Sequence, residues 1–372
     1  MRPWSELERI LVFRTGHLGD TIVALPALHS LREACPGSHI TLLCNAGEAG
    51  GDRVTAPGVL PRGGLIDEWL TYGSGRNPVA GAIARAGLLR QLRSRRFDAL
   101  VYLMTRNRSA GAIARDRLFF RAAGIRRMVG VGYLSSRLLP RRPSAPIDPD
   151  SVAHPGGPLP RVERESDFLL DLLAAEGIPP SSRGADLLLS AHELQQADAW
   201  LAAHCGDDFR SRTLLALAPG SGWKSKIWKE EHFLEVTRRL VERHSVVPVV
   251  YGGVDERPVG ERIVAALGSG ANSAGELGAR VGAAAMRHAR LYLGNDTGSM
   301  HLAAAVGVPC VAIFAAIDYP GRWEPGGAGH RILRVAVPCE GCFTPDCFNR
   351  HQCLEAIPPD RVLAACEEVL GR

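Results

Sequence analysis

Three short polar stretches carry the side chains best suited to chemistry, and each directly follows an apolar run. The first is Thr15-Gly16-His17-Leu18-Gly19-Asp20. Its two glycines, three apart, allow a sharp turn and close approach of a ligand. Asp20 can cap a helix starting near Thr21, or it can present a carboxylate able to take a proton from a hydroxyl. The second, Pro219-Gly220-Ser221-Gly222-Trp223-Lys224-Ser225-Lys226, is a glycine–serine loop with two lysines. A lysine on such a loop neutralises phosphate as a point charge, although the spacing is not that of a Walker A loop. The third, Gly294-Asn295-Asp296-Thr297-Gly298, opens an Ala-rich helix over about Ser299 to Val306. Free N–H groups at such a helix start hold phosphate, and Asp296, Thr297 and His301 lie at the same end. Helix capping by Asp296 or Thr297, with His301 a satisfied surface histidine, is the plain structural alternative. One carboxylate and one cationic, N–H-rich cradle together suit transfer of a group away from a phosphate leaving group.

Strand–loop–helix–strand units must position these loops. Arg9 to Arg14 reads as a first strand, Thr21 to Glu33 as a helix and His39 to Cys44 as the next strand, a βαβ unit that implies a parallel sheet. Pro26 fits only an early turn or a kink. Ile66 to Leu70, Ala99 to Met104 and Met128 to Gly132 follow as strands, with a basic loop Thr105-Arg106-Asn107-Arg108 after the second of them. Thr213 to Ala218, Val246 to Tyr251, Leu291 to Leu293, Cys310 to Phe314 and Ile332 to Val335 are the strands of a second half. Asp255 and Glu256 follow a strand and a Gly-Gly pair. They suit a ribose hydroxyl and, equally, a solvated helix start. Between Ser135 and Arg161 the chain turns rich in Pro, Gly and Arg and reads as a long loop that orders with substrate. The expected domains are 1–185 and 186–372, the second carrying a cysteine-rich segment at 339–353.

Length supports two domains: 372 residues exceed what one core usually serves. Composition is that of a soluble globular protein, at 46% hydrophobic and 22% charged. No apolar run approaches the ~20 residues that cross a bilayer, and no secretory signal is recognisable at the amino terminus. A cytoplasmic protein is expected, for which a transient contact with a membrane surface remains compatible. A net charge of +5 is mild, the arginines are scattered and aromatics are only 6%, which argues against a nucleic-acid partner. Nine cysteines are too few for a disulfide scaffold at this length. Four of them, Cys339, Cys342, Cys347 and Cys353, begin with a CxxC pair and can supply four thiolates to a structural zinc or iron ion. Reduced thiols packing a loop are the alternative.

The segments Ile10–Pro26, Pro219–Trp228 and Leu293–Pro309 resemble the ADP-heptose:lipopolysaccharide heptosyltransferase family, glycosyltransferase family 9. The run Asp-Thr-Gly-Ser-Met-His-Leu-Ala-Ala-Ala is the most specific part. The resemblance implies an α/β protein of the GT-B fold, with two Rossmann-like domains facing each other across a cleft. It also implies an inverting glycosyltransferase that moves a heptose, from ADP-heptose, to an acceptor hydroxyl. By position it makes Asp20 the catalytic base, Lys226 a ligand of the donor phosphate and Asp296 an acidic residue near the donor sugar or diphosphate. The donor site then comprises Ser221, Gly222, Lys224, Lys226, Asp296, Thr297, Gly298, Ser299, Met300 and His301. Gly16, His17, Gly19, Arg106 and Arg108 fall to the acceptor. No DxD-like metal motif stands at a strand end, so no cofactor is expected for catalysis. The acceptor stays open among a glycan, a lipid-linked sugar, a protein hydroxyl and a specialised metabolite. A nucleotide-sugar-binding protein without catalysis would show no turnover with any acceptor. A nucleotide-sugar epimerase would convert donor without an acceptor.

Overall fold

The computed structural model describes residues 2–46, 54–61, 63–72, 78–140 and 158–371, without the side chains of 78 and 79. Residues 141–157 of the expected long loop lie outside these. The chain forms two compact units. One comprises Met1–Pro140 and Glu165–Leu187, the other Arg141–Arg164 and Leu188–Arg372. The described residues just before Glu165 are tied into the second unit: the Val162 N–H donates to the Pro320 carbonyl at 2.9 Å, and Arg161 pairs with Glu324.

The first unit holds strands β1 (Arg9–Phe13), β2 (His39–Asn45), β3 (Glu68–Tyr72), β4 (Ala99–Tyr102) and β5 (Arg127–Val129). They pair in parallel in the order β3-β2-β1-β4-β5. The second unit holds β6 (Leu214–Ala218), β7 (Val247–Val250), β8 (Ala271–Asn272), β9 (Ala289–Asn295), β10 (Cys310–Phe314) and β11 (Arg331–Arg334). These too are parallel, in the order β11-β10-β9-β6-β7-β8. The central strands are short apolar runs because helices cover both sheet faces: every residue of β4, β6 and β10 is buried. In the second unit, Trp228, Phe233, Val236 and Leu240 pack with Leu215, Leu217, Leu291 and Leu293 of the sheet and with Val362 and Cys366 of the closing helix Pro359–Leu370.

Both sheets are doubly wound, as the family resemblance implies for two Rossmann-like domains. The strand order reverses between β1 and β4 in the first sheet and between β6 and β9 in the second. Ligands of such sheets bind outside the carboxyl ends of the strands at that reversal. The three polar stretches leave the ends of β1, β6 and β9, and the basic loop leaves β4.

One local expectation changes. The helix after β1 begins at Leu18 and runs only to Ile22, and a second helix spans Leu25–Ala34 with Pro26 in its first turn. Proline has no N–H for the residue four before it, so the helix stops at Ile22 and restarts. Asp20 therefore sits inside the first turn of a helix capped by His17, not ahead of a helix starting at Thr21.

Candidate active site

In the first unit, the loop after β1 is held from three sides. The Arg14 N–H donates to the Leu43 carbonyl of β2 at 3.1 Å. The Arg14 side chain is buried, and its guanidinium donates to the Asp20 carbonyl from Nε at 3.1 Å and Nη2 at 2.6 Å, and to the Leu103 carbonyl from Nη1 at 2.8 Å. One side chain thus joins the loops after β1 and β4. The Gly16 N–H donates to Asn45 Oδ1 at 2.9 Å, which adds the end of β2. Asp20 Oδ2 accepts the His17 N–H at 3.0 Å, and Oδ1 lies 3.7 Å from Arg14 Nη2. The carboxylate keeps 27% of its side-chain exposure, and each of its oxygens has a second lone pair for an incoming hydroxyl. Gly16 explains how it fits. A Cβ on Gly16 would lie 2.4 Å from the Cβ and Cγ of Asp20, and the residue's φ of +141° is one that side-chain-bearing residues avoid.

The two arginines expected at the acceptor are engaged within this unit. Arg106 is buried, its N–H and Nε donate to Glu165 at 3.0 and 3.2 Å, and its guanidinium lies 4.7 Å from the centre of the Phe168 ring. Arg108 pairs with Asp116, which also accepts the Tyr102 hydroxyl at 2.7 Å. His17 is exposed beside the same turn.

In the second unit, the loops after β6 and β9 meet through Asn295. This fully buried amide donates to the Pro219 carbonyl at 2.7 Å and the Gly220 carbonyl at 3.3 Å, and accepts the Trp228 N–H at 3.1 Å. Gly294 makes the approach possible, since a Cβ there would lie 2.7 Å from the Ala218 carbonyl and 2.5 Å from the Tyr292 hydroxyl. Lys226 reaches across the two loops, with Nζ 2.6 Å from Asp296 Oδ2 and 3.4 Å from its carbonyl. Asp296 is nearly buried while Lys226 is one-fifth exposed, so the cation faces outward from its carboxylate. The helix Gly298–Ala305 starts beside this pair. Its N-cap, Thr297, turns its hydroxyl to Ser299 Oγ at 2.7 Å and makes no capping bond, which leaves the first-turn N–H groups for a ligand. Ser299 Oγ lies 3.2 Å from the Tyr292 hydroxyl, and burial raises the pKa of that tyrosine.

Of the remaining donor candidates, Met300 and His301 are buried, with His301 set edge-on to Trp323. Lys224 and Gly222 are exposed, and Ser221 is half-buried with its Oγ 3.4 Å from the Trp223 N–H. Glu256 lies at the ends of β6 and β7. Its Oε2 accepts the Gly253 N–H at 2.8 Å, and a Cβ on Gly220 or Gly252 would strike its carboxylate.

Cys339, Cys342, Cys347 and Cys353 are unpaired thiols. Burial first, then the neighbouring thiols, raises the pKa of Cys342 and takes Cys353 up to about 11. Among the described residues, no three ligating side chains are gathered closely enough to hold a metal ion. A cavity of about 330 Å³ lined by Arg212, His244, His288 and Arg290 opens at the amino ends of β6 and β9, away from the loops above. Among the described residues, no helix is long and apolar enough to cross a membrane.

Asn295 and Arg14 escape sequence reasoning as organisers. Their one available signal is a polar residue at the buried end of an apolar strand, which a packed sheet accepts only with partners.

A sequence model of glycosyltransferase family 9 (heptosyltransferase) matches residues 85–352. The chain is 25% identical to lipopolysaccharide heptosyltransferase 1 of Pseudomonas aeruginosa, over 97% of this chain and 98% of that protein. The crystal structure of a family 9 glycosyl transferase from Veillonella parvula superposes with a TM-score of 0.73 at 20% identity, covering 100% of this chain and 98% of that one. The structure of E. coli ADP-heptose lps heptosyltransferase II superposes with a TM-score of 0.64 at 20% identity, covering 97% and 98%.

Proposed function

The chain belongs to glycosyltransferase family 9, the heptosyltransferases, and from that premise we propose that it transfers a heptose from ADP-heptose to an acceptor hydroxyl by direct displacement. The observation that carries this reading is the division of labour between the two strand-order reversals. One presents a partly exposed carboxylate, the other a lysine beside a helix start without a side-chain cap. Asp20 accepts the proton of the acceptor hydroxyl as its oxygen attacks the anomeric carbon. The bond to the diphosphate breaks, and Lys226 and the N–H groups from Gly298 onward take up the charge that develops on the leaving oxygens. Exposed Lys224 adds a second cation to the same loop. Glu256, at the end of the strand next to β6, occupies the place where an acidic residue binds ribose hydroxyls in sheets of this strand order. ADP-heptose is favoured as donor by the name of the E. coli structural relative, and a lipopolysaccharide-core acceptor by that of the P. aeruginosa relative. A cytoplasmic setting suits a chain whose nine cysteines are all unpaired.

The decisive experiment pairs Asp20→Asn with a donor panel. The variant should fold, bind ADP as the wild type does and transfer sugar at least about a hundredfold more slowly. Near-normal turnover would leave Asp20 as a residue of the helix turn. A preference for UDP- or dTDP-sugars, with ADP-heptose inert, would replace the donor while keeping the reaction class.

We propose further that Cys339, Cys342, Cys347 and Cys353 bind a structural zinc or iron ion. One of the sulfurs, Cys347, already accepts a main-chain N–H, that of His351 at 3.3 Å. Binding would draw the four together. Elemental analysis of protein purified without an affinity metal decides it: less than about a tenth of an equivalent, with all thiols titrating, rejects the ion.

A further inference from the structure

Lys226 sits on a single turn of 3-10 helix, Lys224–Lys226, between a glycine-rich loop and Trp228. The turn makes two hydrogen bonds of its own, Lys226 N–H to the Trp223 carbonyl at 3.0 Å and Ile227 N–H to the Lys224 carbonyl at 3.2 Å. One turn of this kind does not fix a long side chain without support. The support comes from the cysteine segment. Ser225 is 2% exposed, its N–H donates to the Pro345 carbonyl at 2.9 Å and its hydroxyl donates to the Thr344 carbonyl at 2.6 Å. His351 Nε2 lies 3.2 Å from the Lys224 carbonyl. The segment is itself fastened to the sheet. Gly341 N–H donates to the Ala316 carbonyl at 2.7 Å and Phe343 N–H to the Ile317 carbonyl at 3.1 Å, just past β10.

We propose that Ser225 is a positioning residue for Lys226, and that the cysteine segment is the scaffold through which it acts. The proposal rests on Lys226 being the lysine of the donor phosphate. The cysteine segment then contributes to donor affinity without touching the donor. Removing the Ser225 hydroxyl leaves the Thr344 carbonyl without that donor and frees the turn to shift. Lys226 then no longer holds its place 2.6 Å from Asp296 Oδ2 beside the start of the Gly298–Ala305 helix.

The test is a cycle of ADP titrations by calorimetry on the full chain: wild type, Ser225→Ala, Lys226→Met and the double variant, each checked for folding by thermal unfolding. Ser225→Ala should weaken ADP about tenfold, the scale of one buried hydrogen bond. In the Lys226→Met background the same change should cost about twofold or less, because the residue it positions is gone. His351→Ala, at the less buried end of the contact, should give a weaker version of the same pattern and replaces Ser225→Ala if that variant does not fold. Wild-type affinity in both Ser225→Ala and His351→Ala overturns the proposal, as does an equal loss in both backgrounds, which marks general loosening of the unit. If Lys226→Met binds ADP as the wild type does, the donor-lysine reading falls, and this proposal with it.

Discussion

The two sheets reverse strand order in the same way, and each joins the loops at its reversal with one buried polar side chain. In the first that side chain is Arg14, which binds the carbonyls of Asp20 and Leu103. In the second it is Asn295, which binds the carbonyls of Pro219 and Gly220 and the N–H of Trp228. The difference lies in charge. Arg14 places a fixed cation 3.7 Å from the Asp20 carboxylate, so the anion on this side belongs to the protein. Asn295 is neutral, and at the second reversal the charges are exchanged: the Asp296 carboxylate is nearly buried, while its partner Lys226, 2.6 Å away, stays one-fifth exposed. On the function proposed above, the same topology serves a proton acceptor in one unit and a phosphate receptor in the other. What distinguishes them is which charge is buried as structure and which is left for a ligand.

The change expected to separate the two sites most sharply is Gly16→Ala. The added methyl would lie 2.4 Å from the Asp20 Cβ and Cγ at a φ of +141°, so the turn must open and the carboxylate must move. Transfer should fall at least about a hundredfold, as for loss of a general base. ADP affinity should stay within about twofold, because the residues proposed for the phosphate all belong to the other unit. A parallel loss of ADP binding, measured by titration, would show that the two sites are not divided as described.

Within the second unit, Lys226→Met and Asp296→Asn should move ADP affinity in opposite directions. The first removes the cation and should weaken ADP about tenfold or more. The second removes the carboxylate that competes for Lys226 at 2.6 Å, and ADP should bind about two- to fivefold tighter. Weaker ADP binding by Asp296→Asn would mean instead that the carboxylate orients the lysine, and that the pair acts as one unit.

Much of this arrangement is legible in the chain. The central strands β4, β6 and β10 are short apolar runs, and the polar stretches after β1, β6 and β9 fall at the strand ends because such a sheet has nowhere else to put them. What escapes is whatever depends on partners distant in sequence. Arg106 and Arg108 look like a free basic loop, yet Glu165 and Asp116 occupy them. Asp20 reads either as a cap ahead of a helix starting near Thr21 or as a free carboxylate, but the helix starts at Leu18, with Asp20 in its first turn, and Pro26 ends it at Ile22. Ser225 looks like linker between two lysines until its hydroxyl meets Thr344, 119 residues away.

The smallest effect concerns how firmly each reversal is tied, and stability reports it better than activity. Asn295→Ala removes three partners at a fully buried site and leaves the Trp228 N–H and the Pro219 carbonyl without the amide that joined them. Leaving buried polar groups unsatisfied costs about 1–3 kcal/mol. The comparable amide of the first unit, Asn45, is only half-buried and holds Gly16 through a single 2.9 Å bond from its N–H. Water can replace that bond in part, so Asn45→Ala should cost about 0.5–1.5 kcal/mol, the net worth of an ordinary hydrogen bond. Urea unfolding followed by tryptophan fluorescence compares them directly, since Trp228 packs beside the second tie and Trp4 and Trp69 belong to the first unit. Equal losses would mean that burial does not set the difference between the two ties. A larger loss for Asn45→Ala would reverse the assignment and make the loop before Asp20 the more firmly held of the two.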